Sequence, residues 1–243
     1  MRPLHRLRWE ARSIAGQYPW LCRRLARRSG EYPTDQTEIV IEGFPRTGNT
    51  FAVIAFQQAQ PRIVSIAHHV HAPAPIIDAA RRGTPALALV REPEEAVLSF
   101  VLRLPGLSLR QALRSYVRFY RPLVRARDRG AAFVVGRFDE VVSDFGSVIR
   151  AVNGRFGTAF VPFDPSQDNV AKVMAELDVW DENTFGGRPI IDQGRARPTA
   201  VRTEMKDRLR PAYRAPGLTR LRRTAESLYE SLAQRRGTAA GGY

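Results

Sequence analysis

Short apolar runs alternate with amphipathic stretches along most of the chain. Four apolar runs have the length and composition of buried strands, and they span residues 38–44, 62–67, 86–90 and 132–138. Helical patterns separate and follow these runs, at residues 50–60, 75–82, 93 onwards, 108–127 and 144–156. Because strands that alternate with helices pair in parallel, the pattern predicts an α/β fold, a three-layer sandwich around a central parallel sheet.

The ends of the chain and one internal segment have different patterns. Residues 4–28 alternate apolar side chains with arginine at roughly helical spacing, which predicts one basic amphipathic helix. Residues 157–200 are rich in Gly, Pro and Asp, which predicts loops with one short helix near residues 169–177. An apolar stripe predicts a last helix over residues 217–236.

Length and linker signals divide the chain into three parts. Residues 1–36 form a basic N-terminal helix and linker, residues 37–236 form one domain, and residues 237–243 form a disordered tail. A chain of 243 residues with this apolar content is long enough to bury a hydrophobic core of its own.

The net charge of +14 is concentrated at the two ends. Residues 1–30 contribute +7 and residues 195–243 contribute +8, whereas the middle of the chain carries −1. Such a distribution indicates a polyanionic partner, which can be a nucleic acid, an anionic lipid or a phosphorylated small molecule. An alternative is base composition of the gene, because only Lys172 and Lys206 are lysine and every other basic residue is arginine.

Several features bear on the compartment. No segment reaches the roughly 18 consecutive apolar residues of a membrane span, and charges that recur as far as Arg28 interrupt any signal-peptide core. Cys22 is the only cysteine, so an internal disulfide is impossible. These observations predict a cytoplasmic protein, with peripheral contact to an anionic membrane through the basic N-terminal segment as a further possibility.

The segment from Gly43 to Thr50 has the sequence of an anion-binding loop. Its glycines have the G-x4-G spacing of a P-loop, and a strand precedes it and a helix follows it. However, Asn49 stands where a nucleotide triphosphatase needs lysine, and Arg91 stands where such an enzyme often places a magnesium-binding Asp. The loop therefore suits an anion better than Mg-ATP, with Arg46 as the available cation. An ordinary Gly/Pro turn is the alternative.

A second anion site is predicted at the end of the third strand. Arg91 ends that strand, at the edge of the sheet where open α/β folds bind ligands. Ser99 lies eight residues later, about two helical turns, so both side chains can face the same way. The alternatives are a salt bridge from Arg91 to a neighbouring glutamate and a solvated Ser99. Together with the loop, this predicts two separate pockets for negative charge.

Three histidines, His68, His69 and His71, follow the second strand. An extended backbone would direct His69 and His71 to one face and His68 to the other. Metal binding would need three or four ligands, and ordinary packing is possible for each ring. General-base catalysis is the third interpretation, because a histidine near neutral pKa can accept a proton from a hydroxyl group.

The segment from Pro45 to Phe51, PRTGNTF, resembles the 5′-phosphosulfate loop of sulfotransferases that use PAPS (3′-phosphoadenosine 5′-phosphosulfate). The usual form of that loop is Pro-Lys/Arg-Ser/Thr-Gly-Thr/Ser-Thr/Ser-Trp/Phe, and the resemblance spans most of residues 38–160. It implies a P-loop-like sulfotransferase domain that transfers a sulfuryl group in line to a hydroxyl or amine acceptor. PAPS would be the donor, adenosine 3′,5′-bisphosphate (PAP) the product, and no metal would be needed.

The resemblance also implies residue roles. Arg46 would contact the 5′-phosphate and bridging oxygen, Phe51 would stack near the adenine or else pack in the core, and Arg91 and Ser99 would bind the 3′-phosphate. The residues implied to bind the phosphosulfate are Thr47, Gly48, Asn49 and Thr50. Asn49 departs from the usual hydroxyl residue.

The base is implied by a family pattern of base, small residue and proline about twenty residues before the 3′-phosphate arginine. His71-Ala72-Pro73 matches it, His69 is second, and some carbohydrate-acting relatives use Glu instead. Arg195 and Arg197 lie where relatives place a basic loop against the 3′-phosphate, although a solvated surface run explains them as well.

The sequence does not distinguish between a small-molecule, a lipid and a carbohydrate acceptor. The aromatic and apolar residues between 100 and 127 suit a greasy acceptor and a sugar equally. Two other functions remain as alternatives: a P-loop kinase or nucleotide triphosphatase, and a non-enzymatic binder of nucleic acid or anionic membrane through the basic termini. We expect no metal site and no specific nucleic acid.

Overall fold

A four-stranded, all-parallel sheet forms the centre of the molecule. The computed structural model describes residues 3–25, 31–185 and 199–234. The strands are β1 (Ile39–Gly43), β2 (Ile66–His68), β3 (Ala86–Val90) and β4 (Val134–Arg137). Their order in the sheet is β2-β1-β3-β4, so β1 and β3 are the central pair.

Helices account for most of the remaining described residues, and they include a 3-10 turn at Pro216–Leu218. Their bounds are α1 Pro3–Ala15, α2 Pro19–Leu25, α3 Asn49–Ala59, α4 Ala74–Arg82, α5 Pro93–Arg103, α6 Leu109–Asp128, α7 Phe138–Ser143, α8 Phe145–Phe156, α9 Gln167–Phe185, α10 Ala200–Arg214 and α11 Thr219–Gln234.

The two central strands are buried along their whole length, as continuous apolar runs in parallel sheets are. Alternate residues enter two separate apolar clusters. Val40 packs with side chains of α5, α6 and α11, whereas Ile39 and Ile41 pack with α3, α8 and α9. The predicted α/β fold with a parallel sheet flanked by helices is confirmed, and the arrangement is compatible with a three-layer sandwich.

Several helix ends follow from local sequence. Ser108 caps α6 by accepting a hydrogen bond from the Gln111 backbone N–H, and the Gln111 side chain accepts from Ser108 N in return. Pro93 begins α5, where its missing N–H costs little. Gly83 ends α4 with a φ of 72°, a left-handed conformation that favours glycine.

The predicted single N-terminal helix is wrong, because α1 and α2 are separate helices. Gly16 follows α1, and a Cβ there would lie only 2.6 Å from the Cβ of Ala72, so close packing requires glycine at the break. Pro19 then begins α2. The second strand is also shorter than predicted, since only Ile66–His68 pairs with β1.

The prediction for residues 157–200 is confirmed in part, because residues 158–166 have no helix and the short helix expected near residues 169–177 lies within α9, which is longer at both ends. Helix α9 has nineteen residues, and its buried positions include Val173 and Leu177, two residues that are one turn apart. Helices α7 and α10 were not predicted, and α10 has Pro211 in its interior. Arg195 and Arg197 lie outside the described residues.

The N-terminal helix α1 packs on the body of the molecule through one face. Trp9 donates a hydrogen bond of 3.1 Å from Nε1 to Ser115 Oγ, and its ring contacts Phe100 with centroids 4.8 Å apart. Glu10 forms an ion pair of 2.7 Å with Arg118 on α6. Among the described helices, none combines the length and the apolar composition that a membrane-spanning helix needs.

Candidate functional site

A cavity of about 440 Å³ lies at the carboxyl edge of the sheet, where ligands of open α/β folds bind. Its walls come from the loop after β1, the segment after β2, the end of β3 and parts of helices including α5, α9 and α10. Most of the predicted site residues line it: Arg46, Gly48, Asn49, Thr50, Phe51, His69, His71, Arg91 and Ser99. The structure thus brings together residues that lie up to 53 positions apart in sequence.

The loop after β1 is held in shape by its own side chains. Arg46 and Gly48 both have positive φ values, 74° and 89°, and Gly48 immediately precedes α3. The Phe44 carbonyl accepts hydrogen bonds from Thr47 Oγ1 at 2.7 Å and from Asn49 Nδ2 at 3.0 Å. The Thr47 side chain is therefore turned inward and does not line the cavity, so its hydroxyl belongs to the loop.

Arg46 links the two predicted anion sites. Its Nε donates to Ser99 Oγ at 3.0 Å, and its backbone carbonyl accepts from Arg91 Nη1 at 3.1 Å. Ser99 Oγ also accepts from Arg202 Nη2 at 2.6 Å. The prediction of two separate pockets is wrong in this respect, because the groups form one connected cluster along one cavity.

Arg91 is fixed by contacts on several sides. Its guanidinium lies over the Phe138 ring, 3.8 Å from the centroid, and its carbonyl accepts a 2.8 Å hydrogen bond from Tyr116 OH. Nη2 also lies 3.6 Å from Glu95 Oε2. The salt bridge considered as an alternative is thus present, and Arg91 nevertheless lines the cavity.

The cavity lining is strongly basic. Five cationic side chains line it, and no described residue in the lining is acidic: the five are Arg46, Arg91, Arg103, Arg202 and Lys206. Burial, and then the neighbouring charges of Arg202 and Arg103, lower the pKa of Arg46 to about 9. Positive charges that depress one another's pKa in a concave site create a strong potential for an anion.

Sequence reasoning missed three of these cations. Arg202 and Lys206 lie on α10, which was not predicted, and Arg103 is the last residue of α5. Asp181 on α9 lies 3.8 Å from Arg103 outside the lining, so one carboxylate supports the cluster from behind. The excess of basic residues near the C-terminal end was the available signal.

His71 is positioned as a neutral ring with one nitrogen available. Nδ1 lies 3.1 Å from the Gly43 carbonyl, which can only accept, so Nδ1 carries the hydrogen. Nε2 makes no hydrogen bond to a described residue. Burial lowers the pKa of His71 to about 4, although the hydrogen bond to Gly43 opposes this shift.

His69 is more constrained than His71. Its Nε2 lies 3.2 Å from Thr50 Oγ1, its Nδ1 makes a short contact with His68 Nδ1, and its ring stacks on Trp180 at 5.1 Å. Burial lowers the pKa of His69 to about 2. Since both ring nitrogens already have partners, His71 is the better placed base.

The extended backbone expected for the histidines is wrong. His69 and His71 have φ values of 64° and 55°, in the left-handed region that non-glycine residues rarely adopt. Both rings still line the cavity, whereas His68 does not, so His69 and His71 share one face as predicted. Within the described parts of the chain, no group of three or more His, Cys, Asp or Glu residues is arranged as a metal site.

Glu42 holds this unusual turn and was missed by sequence reasoning. Its side chain is fully buried at the end of β1. Its two carboxyl oxygens accept hydrogen bonds from the backbone N–H groups of Val70 and His71. Burial raises the pKa of Glu42 to about 8, against the lowering effect of these bonds. An acid inside the apolar run IVIEG was the available signal.

The rest of the cavity lining is largely apolar. Phe51 lines the cavity while its ring also meets Phe163 edge-on at 6.4 Å, so it belongs to both the core and the site. Other large apolar side chains also line the cavity: Trp9, Phe100, Leu104, Met174, Leu177 and Trp180. The cavity can therefore accept a ligand that combines anionic groups with an apolar or aromatic body.

Comparisons with known proteins add no identification. No protein-family model matches the sequence, and no curated protein matches it significantly.

Proposed function

We propose that this protein is a PAPS-dependent sulfotransferase with a P-loop-like donor site. The observation that supports this most is the cavity itself. The start of α3 and its preceding loop meet five cationic side chains there, and no described acidic residue lines the wall. A helix N-terminus with convergent arginines suits a ligand that carries several negative charges.

The choice of PAPS over Mg-ATP rests on two residues. The Asn49 amide donates to Phe44 O and Thr47 Oγ1 within the loop, so it gives structure to the loop and no positive charge to the outer phosphates. Arg91 occupies the strand end where a magnesium-binding carboxylate would be needed. Both features disfavour a P-loop kinase or triphosphatase and favour a donor that needs no metal.

In the proposed donor complex, the 5′-phosphosulfate lies against Arg46, Gly48 and Thr50. The 3′-phosphate lies against Arg91 and Ser99, with Arg202 as an additional donor. Because Arg46 and Ser99 already touch, the two ends of the nucleotide would bind to one continuous basic surface. Phe51 would provide the apolar contact for the adenine.

The proposed chemistry is an in-line transfer. His71 Nε2 takes the proton of the acceptor hydroxyl as that oxygen bonds to sulfur, and the bond from sulfur to the bridging phosphate oxygen breaks. PAP carries away the electron pair of that bond. Arg46 and the loop N–H groups stabilise the charge that develops on the departing phosphate. Gly43 keeps His71 in the tautomer that this step requires.

The decisive experiment compares two nucleotides by isothermal titration calorimetry, PAP without metal and ATP with Mg²⁺. We expect PAP to bind more tightly, and Arg46→Ala to lower PAP affinity and turnover while the fold stays intact. Arg208→Ala is the matched control, because Arg208 is an exposed arginine on α10 outside the cavity. Tighter binding of Mg-ATP would refute the sulfotransferase. Incubation with radiolabelled PAPS and a cell extract would then identify the acceptor.

A further inference from the structure

The N-terminal segment exposes four large apolar or aromatic side chains within fourteen residues. Leu7 is 67% exposed and Trp20 is 65% exposed, and Ile14 and Tyr18 are also exposed. We call these four residues the docking face. The other exposed large apolar residues of the described chain lie singly on other elements, from Ile63 to Val201, so the concentration within residues 7–20 is distinctive.

The exposure of this face follows from how α1 packs. Leu7 and Ile14 are seven residues apart and lie on one side of α1, whereas Trp9 lies on the opposite side and contacts the body of the molecule, and Glu10 contacts it from the edge between them. One side of the helix is therefore used for packing. The other side presents large apolar groups to solvent with no described residue covering them.

The charge around the docking face is positive. Arg8, Arg12, Arg23 and Arg24 are exposed within the same segment, Arg23 is paired with Asp78, and Glu10, the acid of this segment, is paired with Arg118. Arg8 and Arg24 form no ion pair with a described residue. The basic residues of α10 differ, because Lys206 and Arg210 bind Glu95.

We propose that α1 and α2 dock this protein on the surface of an anionic membrane. Trp20 and Tyr18 are side chains of the kind that lies at the level of the lipid headgroups. Leu7 and Ile14 would enter the boundary of the acyl chains, and the arginines of the segment would bind lipid phosphates. A second copy of the chain would carry the same positive charge and would be repelled. A nucleic acid would match the arginines but would leave the apolar groups uncovered.

Docking also bears on the acceptor. Trp9 belongs to α1 and lines the cavity, so the helix that meets the membrane forms part of the cavity wall. The acceptor is then an amphiphile whose hydroxyl group reaches the cavity from the bilayer. This last step rests on the proposed sulfotransferase function, whereas the docking itself does not.

The test is co-sedimentation of the full chain with vesicles of phosphatidylcholine alone and of phosphatidylcholine mixed with phosphatidylglycerol. We expect binding to the mixed vesicles that weakens with salt. Leu7→Ser with Trp20→Ser should weaken it by about tenfold or more, since each change removes an exposed apolar group that the bilayer would bury. Arg8→Glu with Arg24→Glu should weaken it by roughly tenfold and flatten the salt dependence. Ile63→Ser is the matched control, because Ile63 is 88% exposed outside the docking face.

Titration of the same variants with PAP separates this proposal from the proposed function. Variants that keep the PAP affinity of wild type and lose vesicle binding would support docking. If wild type binds PAP but does not bind mixed vesicles, docking is overturned and the proposed function is not. Vesicle binding that survives the Leu7 and Trp20 changes also overturns it. Wild type that binds duplex DNA more tightly than mixed vesicles at the same salt concentration would also overturn it. The same holds if wild type does not bind vesicles and instead forms a dimer in light scattering that the Leu7 and Trp20 changes abolish.

Discussion

The guanidinium of Arg46 and the hydroxyl of Ser99 are joined by a hydrogen bond of 3.0 Å between Nε and Oγ. This bond connects the loop after β1 with α5 across the carboxyl edge of the sheet. Arg202 donates to the same oxygen from α10, so Ser99 fixes two arginines at once. A small hydroxyl side chain thereby sets the spacing of the cations in the cavity.

Replacement of Ser99 by alanine should therefore weaken PAP binding more than the loss of one ligand contact suggests. Two arginines lose their shared acceptor, and hydrogen bonds to charged groups are each worth about 1.5–3 kcal/mol. We expect PAP affinity to fall by about tenfold or more in calorimetry. Ser143→Ala is the control, since Ser143 bonds its own helix at Asp139 O outside the cavity. Equal PAP affinity in wild type and Ser99→Ala would contradict this role.

The sheet and the core of the site were predictable for a physical reason. Strand β3 is a continuous apolar run and β1 is one apart from Glu42, and short runs of this kind next to glycine or proline have few other stable arrangements. The carboxyl ends of parallel strands meet at one edge, so residues after each strand, such as Arg46, His71 and Arg91, come together. Their convergence on one cavity follows from topology alone.

The remaining parts of the site depend on contacts that local patterns do not encode. Helix α10 is rich in arginine and contains Pro211, so its pattern gave little helical signal, and Arg202 was missed with it. Glu42 interrupts the apolar pattern of β1, and its role is visible only from its partners, two backbone N–H groups some 28 residues away. The left-handed turn at His69 likewise depends on that long-range carboxylate.

The pH dependence of turnover should report on His71. The base must be neutral, and its pKa of about 4 keeps it neutral throughout the usual range. We expect kcat/KM to be flat above about pH 5 and to fall tenfold per unit as pH drops below about 4. An acid limb near 6.5, the value of a solvated histidine, would contradict this assignment.

Loss of the His71 ring separates catalysis from binding. His71→Gln should reduce turnover by roughly 10²–10⁴ with PAP affinity almost unchanged, as expected for a general base. His68→Gln is the control, because the His68 ring does not line the cavity. If both variants lose the same activity, the effect belongs to the packing of the turn and not to proton transfer.

Stability should pass through a maximum near pH 6.5. Burial lowers the pKa of His69 and His71, so the unfolded chain binds more protons below 6.5 and stability falls as the pH drops. Glu42 acts in the opposite direction, because its pKa is raised to about 8. Its contribution is complete below about 4.5 and is lost as pH rises through 8, with a slope of up to about 1.4 kcal/mol per pH unit.

Urea unfolding of wild type and Glu42→Gln over a range of pH measures this effect. The amide keeps the shape of the side chain and cannot titrate, so the decline in the free energy of unfolding between pH 6.5 and 8 should disappear. Between pH 6.5 and 4.5 Glu42→Gln should lose stability more steeply than wild type as the pH falls, because the growing contribution of Glu42 is missing, and only below about pH 4.5 should the two fall in parallel. A decline above pH 6.5 that persists in Glu42→Gln would assign it to another group.

Gly43 and Gly154 should respond in opposite ways to alanine. A Cβ at Gly43 would lie 2.8 Å from the Leu89 Cβ and would collide with the Thr47 hydroxyl, so β1 and the loop cannot both keep their positions. We expect Gly43→Ala to lower the free energy of unfolding by about 1–3 kcal/mol, the usual cost of overpacking, and to weaken PAP binding because the loop shifts. Gly154 is an exposed position in α8 with no atom within 4 Å of an added Cβ, so Gly154→Ala should add about 0.4–1 kcal/mol. Urea midpoints of the two variants measure this difference, and a Gly43→Ala protein with wild-type stability and PAP affinity would show that the loop needs no close approach to β3.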